Sequence, residues 1–531
     1  MARVSAEGRI SARGTSFERA RSGIGFFAGP LLFLLVLLLP TPDAFWREAE
    51  AQAAASPAAL ETAHLAFSMK VTLALLVLMV TWWVTEAVPL PVTALLPGII
   101  LPLFQVIGVQ DGRPVELNGR AVLAHYANPV IFLFLSGFLI AGAMQKWGLD
   151  RRIALWILTR GNIAASPGKI LLSLMGASAF LSMWVSNTAT TAMMLPIGFG
   201  ILSRVSGAEA SSNYARALLL GIAYAASIGG VGTIIGTPPN GIAVSILRQQ
   251  NVAHLDFLEW MAFGLPFVLL AVPLAWFVLR VVFPFNFAFD EGVRALLQAE
   301  RAALGPLGRG ERLTLFGFLL AVVLWTTHPF WSLLPGLGQR LAWFDEHLIA
   351  LSVAILLFLL PVDWKQRRFV LQWEDSRYVD WGTLLLFGGG LALSDAMFKT
   401  GLARVFASEF IALFGRPSPL VLVFMIVLFM DLLTEVSSNT AVTSMIVPIL
   451  ISMASGLGAE ATTLVLPATV AASMAFMLPV ATPPNALVYA TRRVGIVDML
   501  RAGIALDIAA WLYIVAFFYG YVASVLGLIR F

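Results

Sequence analysis

Two short polar motifs occur twice each within strongly apolar stretches of the chain. Ser-Asn-Thr lies at residues 186–188 and again at 438–440, and Thr-Pro-Pro-Asn follows at 237–240 and again at 482–485. Their side chains offer oxygens to a hard cation and hydrogen-bond donors to an anion. Hydroxyl and amide groups are costly in apolar surroundings unless they bind a ligand or one another. The motifs therefore predict a polar binding site.

A purely structural role is the alternative for these motifs. Ser, Thr and Asn side chains can hydrogen-bond to neighbouring helices, and Pro-Pro can simply kink a helix. One motif alone would favour that interpretation. Two ordered pairs in matching positions of the two halves favour a binding site of the kind that secondary transporters build from interrupted helices.

Composition places the motifs in a membrane. The chain has 531 residues, of which 59% are hydrophobic and only 12% charged, and its mean hydropathy is +0.86. These values indicate a polytopic helical membrane protein. The pI of about 9.5 fits basic cytoplasmic loops and not nucleic-acid binding. Cysteine is absent, and the apolar stretches contain no nucleophile–base pair or metal-ligand cluster, so we do not expect an enzyme.

The N-terminal region allows two interpretations. Residues 1–21 carry five arginines ahead of the apolar run at 24–40, and Ala51-Gln52-Ala53 resembles a signal-peptidase site. This site lies far beyond the apolar run, which favours a retained first span over a cleaved signal peptide. The basic segment at 1–21 is then predicted to be cytoplasmic.

The order of apolar segments indicates an internal duplication. In each half, a span ending in Lys-x-Gly-Leu precedes a long segment broken by Ser-Asn-Thr, a segment broken by Pro-Pro-Asn and a plain span. Arginine and lysine are enriched in cytoplasmic loops, so the arginine-rich loop at 285–312 is predicted to be cytoplasmic. This placement requires residues 168–203 to enter and leave the membrane on the cytoplasmic side. The same reasoning makes residues 417–455 enter and leave on the outer side.

The predicted fold is therefore an all-α polytopic membrane protein with an inverted repeat, about eleven transmembrane helices, two re-entrant hairpins and an outer C-terminus. The predicted spans are 24–40, 68–88, 92–108, 128–146, 215–248, 258–284, 313–333, 346–361, 381–398, 462–491 and 500–527.

Over roughly residues 65–525 the chain resembles the divalent anion/sodium symporter family. The resemblance rests on the segment Trp82–Ala87, both Ser-Asn-Thr motifs and both Thr-Pro-Pro-Asn motifs. It implies Na⁺-coupled uptake of C4-dicarboxylates such as succinate, malate and fumarate across the cytoplasmic membrane. It also implies a homodimer with an elevator mechanism, in which the scaffold comprises 22–150 and 313–405, the transport elements comprise 165–284 and 417–527, and 285–312 is a cytoplasmic linker.

The resemblance also implies ligand residues. The first sodium site would use Ser182, Ser186, Asn187, Gly236 and Thr237, and the second would use Thr434, Ser437, Asn439, Ala481 and Thr482. The substrate would contact both tips and the adjoining loops, through Ser186, Asn187, Thr188, Thr237, Pro238, Ser438, Asn439, Thr440, Thr482 and Pro483. Na⁺, a small divalent anion and the lipid bilayer are the expected partners, and nucleic acid is not.

Alternatives remain at this point. A Na⁺-independent dicarboxylate exchanger or a Na⁺-coupled citrate or sulfate transporter would have the same fold, although the family resemblance implies that a Thr in each tip favours carboxylates over sulfate. An anion channel is disfavoured because paired sites indicate occlusion rather than an open pore. Asp431 and Glu435 precede the second tip, where the first copy has Met183 in place of Glu435. These carboxylates are interpreted equally well as functional or as stabilising the hairpin.

Overall fold

The computed structural model describes residues 16–529, apart from 57–60, 161–165, 206–207, 288–291, 334–335, 337–339 and 342. The described chain is predominantly helical. Its α-helices are Ser16–Leu38, Asp43–Ala55, Thr62–Thr85, Leu90–Thr93, Pro97–Leu103, Gly119–Ala124, Pro129–Trp147, Leu149–Leu158, Pro167–Ser182, Asn187–Leu202, Ala208–Gly230, Pro238–Gln249, Phe257–Val282, Gly292–Ala303, Arg309–Thr327, Glu346–Leu359, Trp381–Thr400, Leu402–Phe414, Pro419–Thr434, Asn439–Leu457, Ala461–Ala471, Pro483–Ala490 and Ile496–Phe517.

Shorter elements complete the described fold. Two antiparallel strand pairs join Ile107–Gln110 to Arg113–Glu116 and Pro361–Asp363 to Arg368–Phe369. The 3₁₀ turns are His125–Ala127, His328–Leu333 and Trp373–Tyr378, and a π-helical segment, Phe518–Leu526, follows the last α-helix. The predicted all-α class is thereby confirmed.

Eight helices in the described residues are long and apolar enough to cross a membrane. Seven coincide with predicted spans, and the eighth, Asn439–Leu457, is the second arm of the second predicted hairpin. The remaining predicted spans are not continuous helices of that length. Residues 92–108 form two short helices and a strand, residues 346–361 contain a helix of 14 residues, and the other two spans are broken. The total of eleven crossings stays a prediction.

The structure describes only part of the N-terminal region on which the first-span prediction rests. Arg3, Arg9 and Arg13 lie outside the described residues. The first apolar run forms the helix Ser16–Leu38, and the cleavage-like segment at 51–53 lies within the next helix, Asp43–Ala55. The retained first span stays a prediction.

Both Ser-Asn-Thr motifs interrupt a pair of helices. We call Pro167–Ser182 with Asn187–Leu202 the first helix pair, and Pro419–Thr434 with Asn439–Leu457 the second. A Ser-Pro step begins both pairs, with proline at the first helical turn, where its missing N–H costs nothing. In each pair the motif serine is the N-cap of the second helix. The tips therefore lie where helical hydrogen bonding stops and restarts.

Both Thr-Pro-Pro-Asn motifs restart a broken helix. The first broken helix is Ala208–Gly230 with Pro238–Gln249, and the second is Ala461–Ala471 with Pro483–Ala490. We call residues 231–237 the first linker and 472–482 the second linker. The motif threonine is in each case the extended N-cap, and proline occupies the first turn of the second half. Proline cannot continue the preceding helix because it lacks an N–H and restricts the residue before it.

The two copies pack against each other reciprocally. The half-helix Pro238–Gln249 of the first copy packs on Asn439–Leu457 and Ala461–Ala471 of the second. The half-helix Pro483–Ala490 of the second copy packs on Asn187–Leu202 and Ala208–Gly230 of the first. Each half-helix after a linker thus contacts the same two elements of the opposite copy, as expected for a duplicated structure.

The chain divides into two compact units. One comprises residues 1–124 and 392–405, and the other comprises 125–391 and 406–531. Both helix pairs and both broken helices belong to the second unit. The division into scaffold and transport segments stays a prediction.

Candidate functional site

The first tip joins its two helices through a hydrogen bond between side chains. Ser182 ends the first helix and its hydroxyl donates to Asn187 Oδ1 at 2.7 Å. Ser186 caps the second helix, and its Oγ accepts from the N–H of Ala189 at 3.3 Å. Three of the five residues predicted for the first sodium site, Ser182, Ser186 and Asn187, therefore cluster at one helix break.

The first linker lies directly against this tip. A Cβ placed on Gly230 would lie 2.8 Å from Asn187 Oδ1 and 3.1 Å from Thr237 Cβ. A Cβ placed on Gly236 would lie 2.4 Å from the Gly230 carbonyl oxygen. Glycine at both positions therefore lets the linker backbone approach Asn187 closely. The structure brings Asn187, Thr237 and, through Gly230, Gly236 into one cluster.

The second tip repeats the same arrangement with threonine in place of serine. Thr434 ends the first helix, and its hydroxyl lies within short hydrogen-bonding distance of Asn439 Oδ1. The same hydroxyl also lies 2.9 Å from the carbonyl oxygen of Ala472, at the start of the second linker. Ser437 is buried beside this break. The contact between the two oxygens of Thr434 and Asn439 is thus the counterpart of the Ser182–Asn187 bond.

The Thr-Pro-Pro-Asn end of the second linker is capped locally and, among the described residues, is not hydrogen-bonded to its tip. Thr482 Oγ1 accepts from the N–H of Asn485 at 3.3 Å and so caps the following half-helix. No hydrogen bond within the described residues joins Asn439 to Ala481 or Thr482. Their membership of one sodium site stays a prediction, as does the shared use of both tips by one substrate, because no described hydrogen bond joins the two tips.

Solvent exposure differs between the two tips. Ser186, Asn187, Ser438 and Asn439 are all partly exposed, as a ligand-contacting surface requires. Thr188 is exposed, whereas Thr440, at the matching position, is buried. The prolines differ in the opposite sense, since Pro238 is partly exposed and Pro483 is exposed. One motif therefore occupies two different environments.

The chemistry of the tips suits a cation and an anion together. Each begins a helix whose first N–H groups have no partner in the helix and carry a partial positive charge, which favours an anion. The second helix of the second pair also has no side-chain cap. Hydroxyl and amide oxygens next to these N–H groups are ligands that an alkali ion accepts.

The final asparagine of each Thr-Pro-Pro-Asn motif holds its linker through two hydrogen bonds, a role that was not predicted from the sequence. Asn240 Nδ2 donates to the carbonyl oxygens of Gly230 and Thr233, at 3.0 and 2.8 Å. Asn485 Nδ2 donates to those of Ala475 and Leu478, at 3.1 and 3.0 Å. Both asparagines are fully buried. Each closes its linker into a loop, and the repetition of Asn in both motifs was the available signal.

Comparison with known proteins gives two kinds of likeness. Residues 57–528 match the family model described as the sodium:sulfate symporter transmembrane region. A protein of Staphylococcus saprophyticus named sodium-dependent dicarboxylate transporter SdcS is 36% identical over 518 residues, which cover 95% of this chain and 92% of the relative. The protein of the same name from Staphylococcus aureus strain USA300 is 36% identical over 523 residues, with the same coverage.

Two solved structures share the fold at low identity. The YdaH transporter of Alcanivorax borkumensis superposes with a TM-score of 0.51 and 16% identity, covering 84% of this chain and 99% of that one. MtrF of Neisseria gonorrhoeae superposes with a TM-score of 0.52 and 14% identity, covering 88% and 97%. At this identity the likeness concerns the fold alone.

Proposed function

The chain belongs to the sodium:sulfate symporter family, also called the divalent anion/sodium symporters, and we propose that it is a Na⁺-coupled transporter of dicarboxylates. It is a multi-pass transport protein of the cytoplasmic membrane and not an enzyme. It carries small divalent organic anions, C4-dicarboxylates such as succinate, malate and fumarate, in symport with Na⁺. The observation that carries this proposal is the duplicated tip, in which a hydroxyl contacts the amide oxygen of the motif asparagine five residues later.

Sodium is proposed to bind at the base of each tip. In the first copy the ligands are Ser182, Ser186 and Asn187 with the backbone around Gly236 and Thr237. In the second copy they are Thr434, Ser437 and Asn439 with the backbone around Ala481 and Thr482. The proximity of Asn187 to Gly230 and Thr237 supports the first site. The Thr434 hydroxyl, which contacts both Asn439 Oδ1 and the Ala472 carbonyl, supports the second.

The anion is proposed to bind between the two tips, contacting Ser186, Asn187 and Thr188 from one and Ser438, Asn439 and Thr440 from the other. No Lys or Arg side chain in the described chain hydrogen-bonds to these residues. The dianion is therefore met by hydroxyl and amide groups, by the N–H groups that begin each second helix, and by the nearby sodium ions.

Coupling follows from the shared asparagines. Asn187 and Asn439 each offer an oxygen to the cation and an N–H₂ group to the anion. A bound Na⁺ a few ångströms away offsets part of the cost of removing a carboxylate from water, so anion affinity rises with Na⁺. Linkage requires that the anion raise Na⁺ affinity by the same factor.

The proposal extends to assembly and movement. A homodimer with an elevator-like motion of the segments 165–284 and 417–527 is in line with the family resemblance. Light scattering of the purified protein in detergent measures the mass, and a monomer would contradict the dimer.

Uptake into proteoliposomes tests the transport proposal. Radiolabelled succinate should accumulate under an inward Na⁺ gradient and not with choline in place of Na⁺, and unlabelled malate and fumarate should compete. Citrate and sulfate, supplied in parallel, should compete poorly. Succinate uptake that is equal in Na⁺ and choline and requires dicarboxylate inside the vesicles would contradict symport and identify an exchanger.

A further inference from the structure

The carboxylate of Glu435 holds an irregular part of the second linker. This side chain follows Thr434 at the end of the first helix of the second pair and is only 3% exposed. Glu435 Oε1 accepts from the backbone N–H groups of Phe476 and Met477 at 2.5 and 2.8 Å, and Oε2 accepts from that of Leu478 at 3.0 Å. Three consecutive backbone donors are thus satisfied by one side chain.

The first copy achieves the same connection without a carboxylate. Met183 stands at the position of Glu435, and its backbone carbonyl accepts from the hydroxyl of Thr233 at 2.6 Å. In the first linker the N–H groups of Val231 and Gly232 bond to the carbonyls of Ile228 and Gly229, at 3.1 and 2.9 Å. The first linker therefore supplies its own backbone partners by continuing to turn.

The second linker stops turning earlier. Its last backbone-bonded N–H groups before the extended part are those of Ser473 and Met474, which donate to Val470 and Ala471 at 3.0 and 2.9 Å. Residues 474–476 have no regular structure. Without Glu435, the N–H groups of Met477 and Leu478 would lose their partners, and that of Phe476 would keep only the carboxylate of Asp507. Unpaired donors in this largely buried segment are costly.

Further contacts hold the same segment. The buried hydroxyl of Tyr224, from the first broken helix, donates to the Phe476 carbonyl at 2.9 Å. One residue before Glu435, Thr434 contacts Ala472 at the beginning of the linker and Asn439 in the tip. Adjacent residues of one helix end therefore connect both parts of the linker to the asparagine proposed to bind the cation.

We propose that Glu435 is a positioning residue for the second sodium site, which fixes the backbone at 476–478 and so the geometry around Thr434 and Asn439. The inference rests on the proposed function. Glu435 is not itself the sodium ligand, because three of the roughly four lone-pair positions of a carboxylate already accept N–H groups. The first sodium site has no such dependence, since Met183 offers only its backbone there.

Recreating the first-copy arrangement in the second copy tests this role. Glu435→Met should raise the Na⁺ concentration for half-maximal succinate uptake by about tenfold or more, the effect of losing one charge-assisted hydrogen bond or more. Maximal uptake at saturating Na⁺ should change much less. Position 478 matches that of Thr233, because each lies seven residues before the motif asparagine whose Nδ2 binds its carbonyl oxygen. A hydroxyl added there by Leu478→Thr is therefore expected to donate to the carbonyl of residue 435, as Thr233 does to Met183. The double variant should recover at least half of the change in the logarithm of the half-saturating Na⁺ concentration. Leu478→Thr alone should have little effect.

Asp431→Asn is the matched control. Asp431 lies one turn earlier on the same helix, is buried, and interacts electrostatically with Glu435, but accepts no linker N–H among the described residues. Its substitution should leave the half-saturating Na⁺ concentration near that of the wild type. An equal shift in Asp431→Asn would show that the buried charge matters and not the contacts to the linker, and would overturn the proposal.

Two further outcomes are decisive. If Glu435→Met fails to fold, Glu435→Gln keeps the shape but presents an N–H₂ group to backbone donors, and it should raise the half-saturating Na⁺ concentration in the same way. Wild-type Na⁺ dependence in either variant would overturn the positioning role while leaving Na⁺-coupled transport intact. If succinate uptake by the wild-type protein does not depend on Na⁺, the proposed function is refuted, and the sodium site with it.

Discussion

At the residue scale, a helix-end hydroxyl lies next to the amide oxygen of Asn187 in the first tip and of Asn439 in the second. The repeated Ser-Asn-Thr motif was sufficient to select both asparagines. The burial of Thr440 and the exposure of Thr188 could not be predicted, because both depend on neighbouring elements from distant parts of the chain. The buried asparagines of the two Thr-Pro-Pro-Asn motifs bond to carbonyl oxygens seven and ten residues earlier, and this role escaped prediction because it depends on the backbone path of the irregular linker.

Removing one tip hydroxyl should weaken anion binding and spare cation binding. Thr188→Val and Thr440→Val keep the side-chain shape, and each should weaken succinate binding by about 1–3 kcal/mol through one lost hydrogen bond to the enclosed anion. Na⁺ binding alone should be largely unchanged, since neither threonine is a proposed cation ligand. Calorimetry on the purified protein measures both terms.

Thr191→Val is the control for this prediction. Thr191 is buried one turn after Thr188, and its hydroxyl has no hydrogen-bond partner among the residues that the structure describes. Succinate affinity should therefore stay at the wild-type value. Unchanged succinate binding in both tip variants would remove the threonines from the substrate site.

At the element scale, proline and hydropathy predicted different features with different success. Pro-Pro predicted both broken helices because proline excludes helical continuation on purely local grounds. Hydropathy predicted a span at 92–108, but the structure has the short helices Leu90–Thr93 and Pro97–Leu103 there. An apolar average does not register the prolines and turns that divide such a stretch, so length and continuity were overestimated.

Adding a methyl group to the first linker should damage the first site. In Gly236→Ala the new Cβ would lie 2.4 Å from the Gly230 carbonyl oxygen, so the linker backbone must move. We expect a loss of stability of about 1–3 kcal/mol from overpacking, together with a marked rise in the half-saturating Na⁺ concentration for uptake. Thermal unfolding and Na⁺ titration of succinate uptake measure the two effects.

Gly176→Ala is the control for this prediction. It lies in the helix Pro167–Ser182, where a Cβ would meet nothing within 4 Å, so it should leave transport unchanged and stabilise the helix slightly. A Gly236→Ala protein with normal stability and normal Na⁺ dependence would contradict the close approach of linker and tip.

At the scale of the whole molecule, the duplication was visible in the sequence, and the structure adds how the copies fit together. Each half-helix after a linker packs on two elements of the opposite copy, namely the second helix of the helix pair and the first half of the broken helix. Such reciprocal contacts join segments far apart in the chain, which motif spacing cannot reveal. The inverted orientation of the two copies, with one tip entering from each side of the membrane, is predicted from the distribution of arginine and lysine.

Cysteine labelling tests this inverted orientation directly. Ser203 and Ser455 lie at the ends of the second helices of the two pairs, and both are exposed. The chain contains no cysteine, so Ser203→Cys and Ser455→Cys each introduce a single thiol with little change in size. In an inverted repeat, the thiol at position 203 should react with a membrane-impermeant maleimide only from the cytoplasmic side, and the thiol at position 455 only from the outside. Right-side-out and inside-out vesicles separate the two sides, and retained succinate uptake shows that the labelled proteins are native. Labelling of both positions from one side would mean that the copies have the same orientation, and the two tips could then not approach one substrate from opposite faces of the membrane.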